Sequence, residues 1–169
     1  MDPKLARRLA VLGAAVAVLG VVLAVALQGP SGPGPFPWEV TEGLRAQWVE
    51  QPGGGAPPRL ISMKVVRAGE HVELAFTVQR GATKDQGRYL AHRTAVPVAV
   101  ASAQWGTPLP PGPVRWTQEG ESKWQAKVGG YVVEVTLRAK GAPRIACHET
   151  GPPAVRRELE PVEPEPAWR

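Results

Sequence analysis

The chain has 169 residues, a formal charge of +5, and 19 glycines and 19 prolines but a single cysteine. So much Gly and Pro argues against long helices outside an apolar span, and one cysteine excludes an intramolecular disulfide. The length suits one modest domain with its own core. The charge divides as +2 over residues 1–28, +4 over 29–141 and −1 over 142–169, with no dense nucleic-acid patch.

After a short head, residues 1–8, comes the run Leu9 to Leu27, LAVLGAAVAVLGVVLAVAL, nineteen residues without a charge. As a helix it would measure about 28 Å, close to the roughly 30 Å hydrocarbon core of a bilayer. Lys4, Arg7 and Arg8 precede it, and no charge follows it before Trp38. The positive-inside rule then keeps the N-terminus cytoplasmic and sends the rest outward. The run reads as an uncleaved single-pass anchor in the lipid bilayer. The alternative is a signal peptide, with Ala24-Val25-Ala26 as an A-x-A site and release by cleavage before Leu27. Gly13, Ala17, Gly20 and Ala24 recur at helical spacing and would form one small-residue face, open to close approach by another membrane helix.

Residues 28–37 alternate Pro with Gly and Ser and read as an extended linker. Trp38 marks either the start of order or an interfacial aromatic. A β-domain is expected over 38–141. Its first segment is weak, with Val40, Leu44, Ala46 and Trp48 suggesting one strand or a helical turn. Arg59 to Arg67 and His71 to Gln79 predict a hairpin. In the second run Val72, Leu74, Phe76 and Val78 alternate with polar residues, which places one set on a buried face.

Arg80 to Arg93 lacks an apolar period and reads as a long basic loop. Ala95 to Ala103 alternates Val with small residues and predicts a strand, with Pro97 confining it to an edge. A three-stranded meander follows over Val114–Gln118, Ser122–Val128 and the segment from Tyr131. The Gly129-Gly130 pair supplies positive φ for a tight turn, and Trp116 and Trp124 point inward. Six strands in hairpin order predict a mainly β fold, a small antiparallel β-sandwich or open barrel. The tail, residues 142–169, is Pro/Glu-rich and is expected to be disordered.

Cys147-His148-Glu149, with His71 or His92, is the one cluster of ligand-type residues. It lacks the paired spacing of metal or haem motifs. There is no G-x-S-x-G elbow and no phosphate-cradling glycine loop. No catalytic, cofactor or metal residue is assigned, and the chain is read as a non-enzyme. The expected binding surface combines the basic residues Arg80, Lys84, Arg88 and Arg93 with Trp105, read as a rim aromatic. The function expected is a membrane-anchored extracytoplasmic (periplasmic) domain that binds or scaffolds other cell-envelope proteins, without nucleic acid. A lipid or hydrophobic-ligand domain is the alternative, and a copper-handling domain is third.

Overall fold

The computed structural model describes residues 36–152 and 155–163. The anchor run Leu9–Leu27, its small-residue face and most of the linker lie outside them. Among the described residues no helix is long and apolar enough to cross a membrane.

Nine strands form one sheet, and every neighbouring pair is antiparallel. In chain order these are β1 (Arg45–Glu50), β2 (Arg59–Arg67), β3 (His71–Arg80), β4 (Thr83–His92), β5 (Thr117–Gln118), β6 (Lys123–Val128), β7 (Tyr131–Thr136), β8 (Arg144–Glu149) and β9 (Arg157–Val162). A 3-10 turn (Arg93–Ala95) and one helix, α1 (Val96–Trp105), join β4 to β5. The spatial order is β4-β3-β2-β1-β9-β8-β7-β6-β5. The first half meanders out to β4, α1 carries the chain across, and the second half meanders back until β9 pairs with β1. One continuous sheet replaces the two layers of a sandwich, and it does not close, because β4 and β5 are its two edges.

The sheet must curl. Helix α1 packs against β3 and β4 from one half and β7 and β8 from the other. Laid flat, β3 and β8 would stand about 19 Å apart at roughly 4.8 Å per strand, wider than a helix of about 10 Å. Wrapping around α1 defines a concave face. The alternating residues Trp48, Ile61, Val65, Val72, Leu74, Val133, Val135, Ile145 and Leu159 fill it, all inaccessible to solvent.

Three expectations are corrected. Ala95 to Ala103 is helix, not strand. Pro97 sits in the first turn, where its missing N–H costs nothing, and Gly106 closes the last turn at φ 71°, its N–H donating to the Ser102 carbonyl at 2.8 Å. Val96, Val98, Ala99, Val100 and Ala101 are all buried, so the helix is apolar all round and no 3.6-residue period marks it. Arg80 to Arg93 is not a loop: a two-residue connection at Gly81-Ala82 leads directly into β4, paired with β3 from Arg80↔Thr83 to His71↔His92. The tail contains β8 and β9, so the ordered domain runs past 141 to at least residue 163. Pro161 is accommodated in β9 because the β8–β9 ladder ends at Ile145↔Leu159, short of it.

The hairpin over 59–80 and the turn between Val128 and Tyr131 stand where alternation put them. In that turn only Gly129 takes positive φ, 58°, and Gly81 does the same at 59°. Both are Gly-first turns of the II′ kind, not the I′ turn with two positive φ values.

Candidate functional site

The expected basic surface does not form one patch. Parity along β3 and β4 separates its members. Arg80 pairs with Thr83 on the concave side, its guanidinium 3.5 Å from Asp85 and 3.5 Å from the Gln104 carbonyl at the end of α1. A cation there meets the negative end of the helix dipole. Lys84 and Arg88 project from the convex face, and Arg88 lies 3.1 Å from Glu73. Arg93 lies beyond the far end of β4, in the 3-10 turn. Trp105 is a half-buried anchor: its Nε1 donates to Glu50 at 2.9 Å.

Glu50 was not singled out by sequence, and it organises the polar mouth of the concave face. It ends β1 on the inward side and is only 6% exposed. Its carboxylate accepts hydrogen bonds from Gln104 Nε2 and Trp105 Nε1, with Arg59 at 3.6 Å. A buried carboxylate is tolerated when donors and a cation surround it. The arrangement ties the C-terminal end of α1 to β1, β2 and β3. Gln104 Oε1 is buried there without a partner among the described residues, as is Thr107 Oγ1 just beyond the end of α1. A cleft of about 610 Å³ opens beside Glu50 and Arg59 and continues past Arg156, Arg157, Glu158 and Glu160. Its lining mixes both signs of charge, and its cations are largely engaged: Arg156 holds Glu134 at 2.5 Å and Glu158 at 2.6 Å. The cleft is a salt-bridged rim rather than an apolar binding cavity.

Glu134 lies on the convex face of β7 between Arg156 and Lys123, the latter at 3.6 Å. Burial pushes its carboxyl up, but the Arg156 hydrogen bond and the charges of Arg156, Lys123 and His148 outweigh this and hold it below the usual range. On Arg156 the Glu158 and Glu134 carboxylates raise the guanidinium's affinity for its proton.

The Cys147-His148 cluster is split by strand alternation. Cys147 points to the concave interior opposite Val133, whereas His148 pairs with Val132 on the other face. Burial pushes the Cys147 thiol up to about 11, opposed by Arg157 and aided by Glu149, so it is a poor nucleophile and metal ligand at neutral pH. His71 and His92 face each other across β3 and β4 with ring centroids 5.8 Å apart, on the opposite half of the sheet from Cys147. Among the described residues no three His, Cys, Asp or Glu side chains gather as a metal site.

At the apolar end the aromatics serve packing. Phe36 stacks on Trp116 at 4.6 Å and meets Trp124 edge-on at 6.0 Å. Trp38 packs edge-on against Trp48, whose Nε1 donates to the Pro143 carbonyl at 2.7 Å. Trp116 Nε1 donates to the Thr94 carbonyl at 2.8 Å. Trp38 is thereby part of the folded domain.

Along β4, residues 83–86, Arg88 and Leu90 are exposed, and Lys84, Gln86, Arg88 and Leu90 share the convex face. Leu90 is 68% exposed, the most exposed of the large apolar side chains described. Comparison with known family models, curated proteins and solved structures finds no match.

Proposed function

We propose that the chain is a single-pass, membrane-anchored extracytoplasmic β-domain that binds or scaffolds other proteins of the cell envelope, without catalysis of its own. The observation that carries this reading is a concave face filled by α1 beside an exposed edge strand bearing Lys84, Arg88 and Leu90. A filled interior leaves recognition to the surface. The anchor rests on the uninterrupted apolar run Leu9–Leu27 and its basic N-terminal flank. The lipid-carrier alternative would require α1 to leave the sheet and expose its apolar surface. A copper-handling domain would require Cys147 and the histidines to come together from opposite faces and halves.

Membrane retention tests the reading. The protein is expected to stay with alkaline-washed membranes at its full-length mass and to be digested by protease added outside spheroplasts. Crosslinking there should recover a defined protein. A soluble species beginning at Leu27, or protection from external protease, would contradict it.

A further inference from the structure

The hydrogen-bonding pattern of β4 carries the surface reading further. The Arg93 N–H donates to the Glu70 carbonyl at 2.9 Å, which makes Glu70–Arg93 a hydrogen-bonded pair. The β3–β4 register is continuous from there to the Gly81-Ala82 turn. Antiparallel pairs alternate between bonded and non-bonded, so Ala91, Tyr89, Gly87, Asp85 and Thr83 bond to β3. The intervening residues Lys84, Gln86, Arg88 and Leu90 then direct their N–H and C=O groups away from the sheet. Thr83↔Arg80 closing a two-residue loop requires the same phase. Among the described residues no backbone group pairs with this side of β4.

The same four residues put their side chains on the convex face. Read along the strand they give cation, amide, cation and apolar group. Lys84 has no carboxylate within 4 Å among the described residues, and the Arg88 side chain stays 74% exposed despite Glu73. A second copy is a poor occupant. Pairing two β4 strands about Gly87 sets Lys84 against Leu90 and Arg88 against Gln86, which leaves both cations without a carboxylate opposite them. Pairing about Gln86 sets Lys84 against Arg88, and pairing about Arg88 sets that residue against itself. Like charges directly opposite one another destabilise a sheet.

We infer that the outer edge of β4 accepts an extended acidic segment of a partner protein as a tenth, antiparallel strand, with carboxylates opposite Lys84 and Arg88 and an apolar side chain opposite Leu90. Backbone pairing supplies the affinity and the alternating side chains supply the selection. The inference deepens the scaffolding reading and rests on it only for the location of the partner.

The test uses full-length protein in detergent and the capped peptide Leu-Thr-Glu-Val-Thr-Thr-Glu. Its Glu-to-Lys counterpart is the charge control. Two N-methylated forms each block one alternate set of amides. The acidic peptide should bind saturably. One methylated form should lose binding and the other keep it, and the K84E/R88E pair should weaken binding about tenfold or more. Equal binding by both methylated forms or by the lysine peptide would overturn the inference. So would no saturation near roughly millimolar peptide, association of these residues with anionic vesicles instead of the peptide, or a dimer paired through β4. The methylated forms leave the protein untouched, so the result does not depend on how the variant folds. A crosslinked membrane partner whose recovery K84E/R88E leaves unchanged would overturn the edge while keeping the scaffold. Peptide binding by a protein released from membranes would do the reverse.

Discussion

At one end of the sheet β4 presents ten residues of edge strand, and at the other β5 presents two. The short edge is tied back into the domain: Trp116, next to it, bonds to Thr94 and stacks on Phe36. A two-residue strand offers little template to another chain, whereas an open strand of ten is a liability unless its charges select the partner. The contrast teaches where to look for binding when the interior is packed. The half ending at β5 spends its side chains on closure, and the half ending at β4 leaves a row of backbone groups facing out.

Both halves depend on α1, so the largest expected effect is at its centre. Ala99→Glu would place a charge where the side chain is inaccessible, between the two halves. A loss above about 4 kcal/mol is expected, read as the absence of a cooperative melting transition. Retention of the wild-type transition would mean the halves do not close on the helix. Glu50→Ala acts only at the polar mouth. It strips the acceptor from Gln104 and Trp105 and should cost about 3 kcal/mol, from roughly 1–3 for each buried donor left unpaired. Denaturant midpoints measure it, and Glu50→Gln should recover part of the loss.

Cys147 tests the β5–β9 half through pH. Its pKa is raised to about 11 from an ordinary 9.0, so the unfolded chain deprotonates first as pH rises. The thiol's contribution is complete below about pH 9 and is lost between about 9 and 11. The wild type should therefore lose roughly 3 kcal/mol across that window relative to Cys147→Ala. Parallel pH profiles would place the thiol in water. Cys147→Ser should itself cost about 1–3 kcal/mol, because a hydroxyl enters an apolar interior.

The smallest effects compare the two tight turns. Gly129→Val and Gly81→Val each force a β-branched residue to positive φ, at about 1–3 kcal/mol. Gly129 should be the worse, since a Cβ there lies 3.4 Å from Pro108 while Gly81 faces open space. Gly130→Asn should stay within about 0.5 kcal/mol. The reverse ranking by thermal melting would misplace the packed end.

The hairpin over β2 and β3 was legible in the sequence because one face is buried and the other wet. That condition fails elsewhere. Helix α1 is buried all round, so its Val-Ala alternation imitates a strand. In β8, Ile145, Ala146 and Cys147 are buried on both faces and show no alternation. In β9, Leu159 is the one fully buried side chain, and the strand is held by a pairing with β1 more than a hundred residues away. β4 is charged on its wet face, and Gly81-Ala82 before it carried the missed signal, a Gly-first hairpin turn. The polar mouth was invisible for a related reason: Glu50 lies 54 and 55 residues from its donors Gln104 and Trp105. The basic residues were recognised as exposed, but only strand parity separates Arg80 from Lys84 and Arg88.

Amide hydrogen exchange along β4 tests the central claim most directly. The N–H groups of Asp85, Gly87, Tyr89 and Ala91 should be protected by β3. Those of Lys84, Gln86, Arg88 and Leu90 should exchange freely and become protected when the acidic peptide saturates the edge. Protection of the second set in the free protein, or no change in it at saturation, would contradict an open strand that pairs with a partner.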